Sequence, residues 1–140
     1  MPDQKTIEKL IKTAIEMTKY SYAPYSNFKV GAALLAKDGR IFTGCNVENA
    51  AYSPTNCAER TAFFKAVSEG AARFDAIAIV GGKNGVITEL TAPCGVCRKV
   101  MMEFCEPEKF QIIMAIDQQN YEIRFLNELL PMGFGPANLS

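Results

Sequence analysis

A chain of 140 residues with 49% hydrophobic content can fill one core, so a single domain spanning 1–140 is expected. Its 15 basic and 15 acidic side chains cancel, which excludes the cationic footprint of a nucleic-acid or acidic-membrane binder and favours a small-molecule ligand. The opening stretch MPDQKTIEKLIK has charges inside a helical pattern and no long apolar run, so neither a signal peptide nor a membrane span is expected and the location is read as cytoplasmic.

Ile7, Leu10, Ile11, Ala14 and Thr18 recur at helical spacing and predict an amphipathic helix over about residues 4–19, ended by SYAPYSNF. FKVGAALLA and RIFTGCN read as two strands joined by KDG, whose Asp38 and Gly39 supply hairpin turn chemistry. Asn56 or Thr55 is a candidate cap for a second helix running to about Glu69, with Gly70 as its stop. FDAIAIVGG is apolar enough for a strand buried on both faces. Pro93 suits the first turn of a third helix, CGVCRKVMMEF, in which Val96, Val100 and Phe104 keep helical period. FQIIMAI and EIRFL read as the last strands and LNELLP as a short terminal helix. Together the elements predict an α/β fold, a three-layer α/β/α sandwich in which a five-stranded mixed sheet carries helices on both faces.

The cysteines, at 45, 57, 94, 97 and 105, are odd in number, and in a chain read as cytoplasmic such clusters more often bind metal or do chemistry than form disulfides. Histidine is absent, which removes the commonest nitrogen ligand for zinc and the usual proton carrier near neutral pH. Pairing the helix start that carries Cys57 with the one that carries Cys94 and Cys97 would gather three thiols beside the carboxyl ends of neighbouring strands. Catalytic zinc typically keeps three protein ligands and one water, whereas structural zinc is closed by four. Thiolates at helix N-termini are stabilised by unpaired amides and the helix dipole. Glu59 lies two residues beyond Cys57, close enough to exchange a proton with that water without ligating the metal. Three thiolates overcompensate one Zn²⁺, and Arg60, with Arg98 after it, is the candidate to donate hydrogen bonds to the sulfurs.

Zinc deaminases combine a His/Cys-x-Glu element with a later Pro-Cys-x-x-Cys, and CAE with PCGVC is the all-cysteine form of that pattern. With FKVGAAL, GCNVENAAYS, NCAERTA and LLPMGF added, the chain resembles the small homotetrameric zinc-dependent cytidine deaminases of nucleoside salvage over nearly its whole length. That resemblance implies hydrolysis of cytidine and 2'-deoxycytidine to the uridines and ammonia, with one zinc per subunit held by Cys57, Cys94 and Cys97 and with Glu59 as proton shuttle. It further implies that Phe28 and Ala58 contact the nucleoside and that Asn46 and Glu48 bind the ribose 3'-hydroxyl. A neighbouring subunit of a homotetramer would contribute Ala50, Tyr52 and Phe134.

Each assignment has a plainer alternative. The thiols could form a closed structural site with Cys45 or Cys105 as fourth ligand, making the chain a non-catalytic zinc-binding interaction domain. Phe28 could be a core aromatic, Asn46 and Glu48 could end a strand, Arg60 could be a solvated helix residue, and Phe134 could clasp the tail. Within the enzyme class, a nucleoside-antibiotic or free-base deaminase is the near relative.

Overall fold

In a computed structural model that describes residues 2–140, helix α1 spans Gln4–Met17 and is opened by Asp3, whose side chain accepts from the Thr6 amide at 2.8 Å. Ile7, Leu10, Ile11 and Ala14 are its buried stripe, as the spacing predicts. The helix stops short of residue 19: its end tightens into a 3₁₀ turn, Thr18–Tyr20, where the Thr18 hydroxyl bonds the Ile15 carbonyl at 2.7 Å.

Strand β1, Phe28–Ala36, pairs antiparallel with β2, Ile41–Cys45, and the connecting turn is closed at Gly39, whose φ of +96° a side chain would strain. On its other edge β1 pairs antiparallel with β3, Phe74–Lys83. β3 runs parallel to β4, Gln111–Ala115, and β4 antiparallel to β5, Tyr121–Phe125, which gives the mixed order β2-β1-β3-β4-β5. Between these strands lie α2, Ala58–Ser68, and α3, Gly95–Phe104; α4, Leu126–Leu129, follows β5 directly.

The period-two alternation of the strands divides the apolar residues into two layers. Ala33, Leu35, Ala76, Ala78, Val80 and Ile113 face α1. Ala32, Leu34, Ile77, Ile79 and Ile112 face the opposite side, where α2 contributes Ala62, Phe63 and Ala66 and α3 contributes Met101. β3 is therefore covered on both faces, as its unbroken apolar run requires.

The direction of the strands places the chemistry. β2 and β3 both oppose β1, so their carboxyl ends reach the same rim of the sheet as the first residue of β1. α2 follows β2 and α3 follows β3 in the chain, so both helices begin at that rim. What fixes α2 against the sheet is Phe63, fully buried, with its ring 5.1 Å from Phe74 edge-on and about 6 Å from Phe104 and Phe110. Replacing Phe63 by alanine is expected to cost about 3–5 kcal/mol, read as a lower denaturant midpoint, because rings arriving from β3, α3 and the start of β4 cannot all collapse into the space it leaves.

Candidate metal centre and active site

The two helix starts at the rim are both occupied by sulfur. Cys57 is the N-cap residue of α2, displacing the expected Asn56 or Thr55, with extended backbone at φ −77° and ψ 157°. Asn56 is engaged otherwise: its backbone pairs with Val47, and its side-chain amide donates to the Thr61 hydroxyl at 3.1 Å. Cys94 is likewise the N-cap of α3, and Pro93 falls one residue outside the helix instead of in its first turn. The amide of Cys97 donates to the Cys94 Sγ at 3.4 Å, so the helix terminus itself partners that sulfur.

β2 and α2 can approach closely because residue 44 is glycine. A Cβ there would stand 2.2 Å from the Ala58 carbonyl oxygen and 2.7 Å from the Ala62 amide nitrogen. The approach carries Cys57 to Cys94, with their sulfurs 3.6 Å apart, and Cys94 lies 3.2 Å from the Cys97 sulfur. A tetrahedral zinc bonded to sulfur at about 2.3 Å needs sulfurs about 3.8 Å apart, so small adjustments suffice. Among the described residues, these three thiols form the one group of this kind, with ligand atoms within 4.8 Å of one another. Neither of the other cysteines joins them as a fourth ligand. Cys45 donates to the Tyr20 carbonyl at 3.4 Å, and burial alone drives the Cys105 thiol far upward in pKa.

The sulfurs divide their protons unequally. Cys57 is pulled down to about 5, chiefly by a hydrogen bond from Cys97 and further by Arg60 and Cys94, against the desolvation that would raise it. Cys97, the donor in that pair and 1% exposed, is pushed up. Arg60 points a guanidinium Nη2 at the Cys57 Sγ at 3.4 Å, as expected, and its Nε is buried with no partner among the described residues. Arg98 departs from expectation. Its guanidinium bonds the Pro93 carbonyl at 2.8 Å and the Leu129 carbonyl at 2.7 Å instead of a sulfur.

Glu59, in the first turn of α2, is 4% exposed. Burial pushes its carboxyl up to about 7, and the neighbouring Cys57 charge adds to the rise. Hydrogen bonds from its own amide and from the Cys97 thiol act in the opposite sense, which places the carboxyl within reach of the sulfurs.

The remaining expected residues are distributed around the same rim. Phe28 is 39% exposed and therefore no core aromatic; its ring lies over Gly81, where an added Cβ would approach its Cε2 to 2.9 Å. The Asn46 amide is largely committed: its oxygen accepts from the Ser21 hydroxyl and from the Val30 amide at 3.0 Å, and its nitrogen donates to the Phe28 carbonyl at 2.8 Å. Glu48 accepts from the Tyr25 and Ser26 amides at 2.9 and 3.1 Å and from the Ser26 hydroxyl, and that hydroxyl above all lowers its pKa. Ala58, expected at the substrate, is wholly buried and packs α2 against Gly44. Ala50 and Tyr52 lie exposed on the loop after β2, where Tyr52 has φ +62° and meets Tyr25 edge-on. Phe134 is 55% exposed, with the Lys99 ammonium 5.3 Å over its ring and bonded to its carbonyl.

A hollow of about 400 Å³ between Tyr25, Glu48, Tyr52 and Thr55 opens beside this group. A larger cavity of about 590 Å³, bordered by Lys37, Arg73 and Phe125, lies at the opposite end of the sheet and carries none of these groups. Gly44 and Gly81 escaped the sequence reading. The signal available for Gly81 was the double glycine ending an otherwise apolar strand, which marks a close approach.

The sequence pattern of the family described as "Cytidine and deoxycytidylate deaminase zinc-binding region" matches residues 4–114, which include every group at the rim except the tail. The chain belongs to the cytidine and deoxycytidylate deaminase family. Within that family it is similar to the cytidine deaminase of Sporosarcina psychrophila, 47% identical over 134 residues that span 96% of this chain and 95% of the relative. The cytidine deaminase of Halalkalibacterium halodurans is 46% identical over 131 residues, 94% and 96% of the two chains. The crystal structure of cytidine deaminase from Burkholderia pseudomallei superposes with a TM-score of 0.81 at 45% identity, covering 90% of this chain and 97% of that one. The fold is thus the deaminase α/β sandwich, and zinc is the metal that the cysteine trio is placed to hold.

The hydrogen bond from Arg60 helps keep Cys57 ionised. Arg60→Gln removes the positive charge and replaces the guanidinium with a shorter neutral amide, so Cys57 should ionise at higher pH in metal-free protein. The pH midpoint of its alkylation by iodoacetamide should rise above that of the parent, and an unmoved midpoint would show that Arg60 contributes nothing to that sulfur.

Proposed function

We propose that the chain hydrolyses cytidine and 2'-deoxycytidine to uridine and 2'-deoxyuridine, releasing ammonia, as a cytoplasmic step of pyrimidine salvage. The observation that carries the reading is Glu59: a carboxyl 4% exposed, raised to about 7, beside three sulfurs spaced for one zinc ion. A group poised near neutrality can both take and return a proton, as one carrier serving two transfers must.

Cys57, Cys94 and Cys97 hold the metal, which when bound supplies the Lewis acidity that makes water a nucleophile near neutral pH. Glu59 accepts the proton released as water adds to C4 of the cytosine ring and delivers it to N3. It then carries the proton of the new C4 hydroxyl to the amine, whose bond to C4 breaks as the C4 carbonyl forms, so that water and cytidine leave as uridine and ammonia. Arg60 offsets the surplus negative charge of the sulfurs.

Phe28 offers its exposed face to the pyrimidine, with Gly81 leaving room beneath it. Asn46 retains one amide hydrogen beyond the bond to Phe28, and Glu48 retains acceptor capacity beyond the Tyr25 and Ser26 contacts, so both can meet a ribose 3'-hydroxyl. Neither binds a 2'-hydroxyl in this scheme, hence the acceptance of both sugars. Tyr52 at 73% exposure and Phe134 at 55% sit where a neighbouring copy can share them, which favours a homotetramer with shared sites, Ala50 included. Among the described residues no helix is long and apolar enough to cross a membrane.

Zinc-loaded protein given cytidine or 2'-deoxycytidine should show the ultraviolet change of uridine formation with ammonia in equal amount. Glu59→Gln should retain one zinc per chain and lose about 10²–10⁴-fold or more in rate. A parent chain that binds zinc but converts no nucleoside would leave only a zinc-binding interaction domain, and sedimentation of a fully active monomer would sink the shared-site arrangement.

A further inference from the structure

The three sulfurs are not equally secured. Cys97 is inside α3 and 1% exposed, and Cys57 packs against the core and is held by Arg60 at 3.4 Å. Cys94 is exposed and follows an irregular stretch from residue 84, and among the described residues the one hydrogen bond its sulfur receives from outside the trio's own side chains comes from a helix-terminal amide at 3.4 Å. Something must fix the peptide that presents it.

We propose that Arg98 is the positioning residue for Cys94, tying the carbonyl just before it to the end of α4. Its Nε donates to the Pro93 carbonyl at 2.8 Å, which belongs to the peptide bond leading into Cys94. Its Nη1 donates to the carbonyl of Leu129, the last residue of α4, at 2.7 Å. That second carbonyl lies at a helix C-terminus, where oxygens have no partner within the helix and favour a cation. α4 is a firm anchor: Leu126 is fully buried, its amide bonds the Phe110 carbonyl at 3.1 Å, and the Asn127 amide bonds the Pro107 carbonyl at 3.0 Å. The planar guanidinium holds two acceptors at a set distance, which a lysine ammonium on a flexible stem cannot do as rigidly. The C-terminal part of the chain, beyond the family match that ends at residue 114, thereby takes part in holding the metal loop.

The inference rests on the reading of Cys94 as a zinc ligand. Its test uses the full zinc-loaded chain and follows zinc transfer to a coloured chelator in excess, alongside the melting temperature of each metal-free protein. Arg98→Gln should release zinc roughly tenfold faster or more, with metal-free melting within about 4 °C of the parent; Arg98→Lys should fall between the two and serves if the glutamine variant does not fold. Lys99→Ala, which frees the Phe134 carbonyl but leaves Pro93 untouched, should release zinc at the parent rate. Equal release from parent and Arg98→Gln overturns the proposal, as does equal acceleration in Lys99→Ala, which would assign the effect to the tail in general. A parent chain that never binds zinc sinks the ligand reading itself, and this one with it.

Discussion

Two helices must begin at the same rim of one sheet, close enough for their N-cap side chains to touch. That constraint follows from β2 and β3 both opposing β1, and Gly44 lets it be met, since any side chain there would collide with the backbone of α2. A helix N-terminus is an electropositive place with amide hydrogens to spare. Sulfur occupies two of them, and at one the Cys97 amide donates to the Cys94 sulfur; Cys57 is depressed chiefly by the hydrogen bond from Cys97 and further by Arg60 and Cys94. The helix interiors are filled apolar contacts, so the termini cannot drift without opening the core around Phe63 and Met101.

Electrostatic tension is concentrated in a small volume. The lowered Cys57 thiol, two further sulfurs, a carboxyl with almost no access to water and the Arg60 guanidinium share the first turns of the two helices. Glu59 responds by holding its proton up to about 7, chiefly because burial disfavours its charged form and further because Cys57 adds negative charge beside it. The proposed chemistry uses that reluctance. A well-solvated carboxyl would be too weak a base to collect the proton and too weakly protonated to return it.

The side proposed for the substrate is less enclosed than the side that carries the sulfurs. Phe28, Tyr52 and Phe134 all keep substantial exposed surface in the isolated chain, whereas the groups beside the sulfurs are covered. Asn46 does two jobs at this border. Its amide stitches the start of β1 to the end of β2, and the same stitching orients whatever donor it has left. The alternatives weighed for these residues are not exclusive: Asn46 does secure a strand end, and Phe134 does clasp the tail through Lys99.

Much of this was legible in one dimension. Hydrophobic period fixed the strands and helices to within a few residues, because period reports burial, and burial here is decided by alternation within each element. The spacing Cys94-x-x-Cys97 was readable because residues three apart meet at a helix start, and Cys57-x-Glu59 because both fall at the beginning of one helix. What sequence could not reach were relations between segments far apart in the chain: Gly44 against Ala58, Phe28 over Gly81, and the turn of Arg98 from the adjacent sulfurs toward Leu129. Those depend on how the sheet stacks its helices, and only the folded chain brings residue 98 to residue 129 or makes a buried acid of residue 59.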